Sequence, residues 1–205
     1  MLKIKHISLV VMAMVLSFST LANAKWEEGT HYDVISEKAT KKKEVMEIFS
    51  FWCPSCFRFE PLAKQIKSTL PDDVKFVKAH VDFLAYADNQ TQNDATLLML
   101  AARAMKDEER FNQALFDAIH KNGTKPDSID ALYEIYANAG GDVDKMKKLA
   151  KSFGIKSQFN MNKKRVAGTR SVPTFIINGK YRLKITRDMT PDEIVEAVIW
   201  LTSQK

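Results

Sequence analysis

The sequence predicts a mixed α/β domain interrupted by an all-helical insertion. Two observations carry this. β-Branched and aromatic runs fall at 44–52, 74–83 and 173–185, towards the two ends of the chain. Between about Tyr86 and Val166 the apolar residues instead recur at helical spacing. A third observation points to chemistry: Cys53 and Cys56, the only two cysteines, lie in a Cys-Pro-Ser-Cys run at the junction of the first strong strand with a helix.

A chain of 205 residues suits one domain, or one domain carrying a large insertion. Hydrophobic residues make up 45% of it, enough for a core, and the scarcity of Gly and Pro excludes collagen-like and disordered classes. The formal charge is +6, of which Lys3 and Lys5 contribute two. The remaining basic residues are spread among 25 acids, so no nucleic-acid partner is expected.

The elements follow in order. The N-terminus reads as a targeting signal: a basic "MLKIKH", an apolar 7–21, then Ala22-Asn23-Ala24, the small-x-small pattern of a cleavage site. The apolar run is too short for a comfortable span. Cleavage after Ala24 would start the mature chain at Lys25; an uncleaved anchor is the alternative. No Cys directly follows the apolar run at the cleavage site, which argues against a lipoprotein. The expected destination is an exported, disulfide-permissive compartment. Residues 25–43 are polar and read as irregular or a short strand, and 44–52 as a buried strand. After the cysteines, Phe59, Leu62, Ala63, Ile66 and Leu70 mark a helix, with Pro61 expected to kink it. A second strand is expected over 74–83. Helices are predicted over 94–106, 109–121, 128–140, 143–154 and 157–168, with breaks at 123–126, Gly140-Gly141 and Gly154. Residues 173–185 read as a hairpin turning at Asn178-Gly179. A last helix starts with Thr190 as N-cap, Pro191 at its first position and Glu193 completing a capping box.

Four readings compete for the cysteines. Structural zinc needs four ligands, and His31, His80 and His120 are scattered without paired spacing. A purely structural disulfide gains little from so short a loop. A copper module would want nearby Met or His, which the motif lacks. Redox catalysis fits best. At a helix N-terminus the first sulfur lies near unpaired N–H groups and the positive end of the dipole, which stabilises a Cys53 thiolate. Cys56, one turn on, is within disulfide reach and more buried, and Pro54 restricts the loop between them.

"EIFSFWCPSCFRFE" together with "SVPTFIINGKY" resembles the DsbA family of thiol–disulfide oxidoreductases over essentially the whole mature chain. The resemblance implies a thioredoxin-like fold (25–84 and 167–205) with an inserted all-helical domain (85–166) behind a signal peptide (1–24). It implies that Cys53 is an exposed nucleophile and Cys56 its buried partner. It implies that Val172-Pro173 is a cis-proline segment facing the disulfide, although sequence physics alone equally allows a trans proline at a strand start. Glu47 and Lys78 are charges inside apolar strands. Either they lie at exposed strand ends, or, as the resemblance implies, they pair beneath the active site, where Glu47 would move protons to and from Cys56. One departure stands out: Ser55 occupies the position where the commonest family motif has His, and a hydroxyl supplies no charge to the Cys53 thiolate.

The expected function is an exported, periplasmic oxidase that introduces disulfides into unfolded or partly folded exported proteins. A DsbB-type membrane quinone reductase would re-oxidise it. The only redox group required is the Cys53–Cys56 disulfide, with no metal or organic cofactor, and a monomer is expected. Phe51, Trp52 and Phe57 are candidates to border the substrate surface, with Phe51 alternatively in the core. Two other readings stay open: a disulfide reductase or isomerase, and a thioredoxin-like chaperone or binding module in which the cysteines are incidental.

Overall fold

The computed structural model describes residues 25–204; residues 1–24, where a targeting segment is expected, lie outside the described residues. The fold is a thioredoxin-like sheet with an inserted all-helical region. The element order is β1 (Tyr32–Val34), β2 (Glu44–Phe49), α1 (Pro54–Thr69), β3 (Lys75–His80), α2 (Asn89–Ala104), α3 (Glu108–His120), α4 (Ile129–Asn138), α5 (Val143–Ala150), α6 (Phe153–Val166), β4 (Thr174–Ile177), β5 (Tyr181–Leu183) and α7 (Pro191–Ser203).

The strands form one sheet in the order β1-β5-β4-β2-β3. β2 and β3 run parallel, as the α1 crossover between them requires, and the remaining neighbours are antiparallel. The central strand β2 is apolar on both faces, since side chains alternate along a strand. Met46 and Ile48 pack on one face with Ala79 and Ile176. Val45 points to the other, into a cluster of Ile66 from α1, Phe175 and Ile177 from β4, and Ile194, Val198 and Leu201 from α7. By the same alternation Glu47 shares the face of Val45. The hairpin turns where Asn178 and Gly179 adopt φ of 52° and 63°, a left-handed pair that Asn and Gly tolerate best. α7 has the expected capping box: the Thr190 side chain accepts from the Glu193 N–H while Glu193 accepts from the Thr190 N–H.

Several boundaries differ from expectation, and three of them have a clear local reason. β2 ends at Phe49 rather than Trp52, because the Cys53 N–H turns back to the Ser50 carbonyl (3.1 Å) and the Trp52 N–H to Ser50 Oγ (3.2 Å). α2 begins at Asn89 rather than Asp94, because Asp88 caps it by accepting from the Thr91 N–H at 2.9 Å. The break expected at Gly154 falls earlier. Ser152 accepts from the Ile155 N–H and opens α6 at Phe153, so Gly154 sits inside the first turn.

The helical block closes over the active-site end of the sheet. Its core, including Leu98, Met99, Phe111, Leu115, Phe116, Leu132, Tyr136 and Met146, is continuous with Phe49, Phe51, Trp52, Cys53 and Cys56. The insertion is therefore part of the wall around the cysteines.

Candidate active site

The turn at Ser50 delivers the chain into α1 with Cys53 as N-cap, its backbone extended (φ −92°, ψ 111°) and Pro54 in the first turn. This is the conformation in which an N-cap side chain meets the unpaired N–H groups of the first turn. Cys53 Sγ does so, accepting from the Cys56 N–H at 3.2 Å. Both cysteines are free thiols in this structure.

The two sulfurs differ in environment and in acidity. Cys56 is fully buried. Its thiol is pushed up, first by the hydrogen bond it donates to Cys53 and then by burial, with the negative charge of Glu47 acting in the same direction. Cys53 is pulled down from the ordinary 9.0 to about 6. The hydrogen bond from the Cys56 side chain is the largest cause; the backbone N–H groups of Cys56 and Ser55 and the positive charge of Arg58 add to it, against a cost from burial. Cys53 is only 5% exposed, less than the expectation of an exposed nucleophile. It belongs to the same buried cluster as Phe51 and Trp52, with Val172 packed against that cluster.

That loop comes from β4. The Val172–Pro173 peptide is cis, and the Val172 carbonyl lies 3.6 Å from Cys53 Sγ, placed to accept from the thiol. Sequence positions 119 apart are thus brought to a single face. Pro54 is exposed beside them, and Ser55 is half-buried.

Glu47 and Lys78 are not at exposed strand ends. They are register partners on β2 and β3. Lys78 Nζ donates to Glu47 Oε2 at 2.6 Å and to Glu60 Oε1, from the second turn of α1, at 2.5 Å. Burial raises the Glu47 pKa above the ordinary carboxylate range and the negative Glu60 adds to this, with Lys78 opposing. Lys78 is driven up: burial would lower it, but the two carboxylates outweigh that. Glu47 Oε1 is buried without a protein partner. A cavity of about 390 Å³ beside α1, lined by Glu60, Lys78 and Asn112 among others, leads from the surface to this cluster.

Of the aromatics expected at the rim, Phe51 and Trp52 are core residues, at 0% and 4% exposure. The alternation of the strand does not continue past Ser50, so both rings turn inward against the helical block. Phe57 is half-buried and stacks on His120, with centroids 5.0 Å apart and planes at 13°.

Four further residues were given no place at the redox site by the sequence. Glu60 completes the ion-pair cluster, and its spacing on the α1 helix would have been the only hint. Arg58 Nη2 donates to Ser55 Oγ at 2.9 Å. His120 Nε2 donates to the Phe51 carbonyl at 2.8 Å, tying α3 to the loop before Cys53. His80 is fully enclosed among Phe49, Phe51 and Trp52 and bonds Thr96 Oγ1 at 2.8 Å. Burial holds its pKa down to about 3, so it is a neutral core residue. Among the described residues no group of three or more His, Cys, Asp or Glu is placed to hold a metal ion, and no helix is long and apolar enough to cross a membrane.

Comparison with known proteins gives a consistent picture. The family model described as a DSBA-like thioredoxin domain matches residues 44–197. The chain is 34% identical over 185 residues to the thiol:disulfide interchange protein DsbA of Haemophilus influenzae, covering 85% of this chain and 87% of that protein. The crystal structure of the disulfide oxidoreductase DsbA from Proteus mirabilis aligns with a TM-score of 0.78 at 26% identity, over 89% of this chain and all of that one. DsbA of Pseudomonas aeruginosa aligns with a TM-score of 0.73 at 30% identity, over 86% and 93% of the two chains.

Proposed function

This chain belongs to the DsbA family of thiol–disulfide oxidoreductases, and from that premise we propose that it is a periplasmic dithiol oxidase in which Cys53 and Cys56 carry the exchange. The observation that supports this most is the asymmetry of the pair: one sulfur is an N-cap acceptor with its thiol pulled down to about 6, and the other is fully buried with its thiol pushed up.

In the oxidised enzyme a substrate thiolate attacks Cys53 Sγ, the Cys53–Cys56 bond breaks, and Cys56 leaves. Cys56 is a poor thiolate in its buried position and takes a proton at this step. Glu47, whose pKa is raised by burial, supplies that proton and recovers one through Lys78, Glu60 and the adjoining cavity. A second substrate thiolate then attacks the substrate sulfur of the mixed disulfide. Cys53 leaves as a thiolate held by the helix N-terminus, and the substrate acquires a disulfide. The two electrons now reside in the Cys53/Cys56 dithiol. Family membership supports their transfer to a DsbB-type membrane partner, with Glu47 acting as base on Cys56 in that direction. Val172-Pro173 lines the approach to Cys53 and would hold an extended substrate segment there. Pro54 limits the freedom of the loop.

Unfolded or partly folded exported proteins are the substrates this reading implies. We take residues 1–24 to be removed on export, and residues 25–84 and 167–205 to act as the thioredoxin-like unit around the helical domain of 85–166. The test is direct. The oxidised protein is mixed with a reduced, unfolded two-cysteine polypeptide, and disulfide appearance in the polypeptide is compared with disulfide loss from the enzyme. Stoichiometric transfer supports the reading; persistence of both starting states overturns it.

The proton role of Glu47 has its own test. Glu47→Gln keeps an acceptor for Lys78 and the shape of the site but holds no titrating proton. Exchange through Cys56 is expected to slow by about a hundredfold at neutral pH, the low end of what a positioned acid or base contributes. Rapid-mixing fluorescence across neutral pH would read it. Rates that match the wild type throughout that range would remove Glu47 from proton transfer.

A further inference from the structure

The Cys-Pro-Ser-Cys loop lacks a charged residue between its cysteines, yet a positive charge stands at the site. Arg58 lies one helical turn beyond Ser55 on α1, so the two side chains share a face. Its guanidinium donates to Ser55 Oγ at 2.9 Å. Ser55 belongs to the first turn of α1, whose N–H groups surround Cys53 Sγ. The hydroxyl therefore acts as a tether, holding an exposed cation beside the helix N-terminus.

We propose that Arg58, held by Ser55, is a positioning residue that supplies the positive charge of this redox site and thereby helps to set the acidity and oxidising strength of Cys53. This rests on the dithiol-oxidase reading and deepens it. Several features favour it. The pairing is between neighbours on one rigid helical turn, so it orders few atoms. Arginine keeps its charge at every pH at which a thiol titrates, unlike a histidine in the loop. The Arg58 charge acts on Cys53 in the same direction as the first-turn N–H groups. The carboxylate that acts on the pair, Glu47, acts on Cys56 and is paired with Lys78. Arg58 itself has no carboxylate partner among the described residues: its side-chain hydrogen bond is to the neutral Ser55.

The interaction is exposed and so modest. A unit charge several ångströms from a thiolate in near-aqueous surroundings alters a thiol pKa by about half a pH unit. Removing it destabilises the thiolate, which exists only in the reduced protein, and so makes the oxidised form relatively more stable and the enzyme less oxidising.

The experiment titrates the Cys53 thiolate by ultraviolet absorbance in wild type, Arg58→Gln, Arg58→Lys, Ser55→Ala and the Ser55→Ala/Arg58→Gln double variant, at low and at high salt. Arg58→Gln is expected to raise the midpoint by about half a pH unit at low salt, and the difference from wild type should shrink at high salt as the charge is screened. Arg58→Lys, which keeps charge but loses the fork, should fall between the two. Ser55→Ala should raise the midpoint by less than Arg58→Gln, and the double variant should match Arg58→Gln, because the tether has nothing left to hold. In glutathione buffers Arg58→Gln should lie further towards the disulfide. Coincident wild-type and Arg58→Gln titrations at low salt would overturn the proposal, as would equal shifts in Arg58→Gln and Arg58→Lys. Failure of the oxidase reading would show differently, as a wild type that transfers no disulfide whatever its titration.

Discussion

Cys53→Ser is expected to reduce disulfide transfer to the uncatalysed background, whereas Cys56→Ser is expected to accumulate a mixed disulfide with substrate. The asymmetry follows from geometry. Attack must occur at the sulfur that substrate can reach: Cys56 is entirely enclosed, whereas Cys53 keeps a small exposed fraction beside the Val172 carbonyl. At neutral pH Cys53, with its thiol near 6, is mostly thiolate, and Cys56 is not. Serine at position 53 removes the only accessible partner for exchange. Serine at position 56 leaves a reactive Cys53 thiolate that can join a substrate disulfide but has no neighbour to release it. Non-reducing electrophoresis of each variant with a disulfide-containing polypeptide would show an adduct for Cys56→Ser alone. Adducts through Cys56 in the Cys53→Ser protein would reverse the assignment of nucleophile and partner.

The second large effect is on stability, and it depends on pH. In the unfolded chain the Cys53 thiol has its ordinary pKa of 9.0; in the folded reduced protein it lies at about 6. Between those values the unfolded state binds the extra proton, so reduced-state stability rises with pH across that window. The contribution is complete above the unfolded value and is lost as pH falls through the folded one. Cys56 works in the opposite sense: its folded thiol is pushed up, so above pH 9 or so it ionises only on unfolding and reduced-state stability declines again. The oxidised protein has no thiol to titrate. Glu47 is shifted in the folded chain whichever redox form is present, and to first order it cancels.

The stability of the reduced form relative to the oxidised form should therefore rise by about 2 kcal/mol between about pH 5 and pH 8, after a discount for solvent screening at the edge of the site. The cross-link itself favours the oxidised form by about 2 kcal/mol on a chain-entropy argument, independently of pH. So the oxidised protein should be the harder to unfold in acid, with the reduced protein matching or exceeding it near pH 8. Urea melts of both forms at the two pH values would show this. A redox difference that does not change with pH would mean that no stabilised thiolate exists.

The physics of the sequence makes some of this legible and hides the rest. The strand-to-helix junction at the cysteines is readable because a β-branched and aromatic run gives way to helical spacing within a few residues, and the N-cap position of Cys53 follows from it. Thr190, Pro191 and Glu193 announce α7 through chemistry local to one turn. The pairing of Glu47 with Lys78 is only half legible. A charge inside an apolar strand signals a buried partner, but which partner depends on strand register, and Glu60 enters from a different element altogether. A core place for Phe51 is one of the two readings the sequence leaves open, but the inward turn of Trp52 is hidden for a related reason: the Ser50 turn that ends the alternation is made by one side-chain and one backbone hydrogen bond. His120 looks like a stray histidine in sequence because its partner is a backbone carbonyl on another element. Arg58 stands within the motif itself, and its significance emerges only when one turn of α1 places it on Ser55.

The claim that this site is built to oxidise rests on how far the stabilised Cys53 thiolate shifts the Cys53/Cys56 pair towards the dithiol. The equilibrium of that pair with glutathione measures this most directly. A protein that stabilises the Cys53 thiolate at a helix N-terminus, with Arg58 assisting, should have a reduction potential more positive than the roughly −180 mV of protein disulfide isomerase. A value near the roughly −270 mV of thioredoxin would contradict the account and make the protein a reductant.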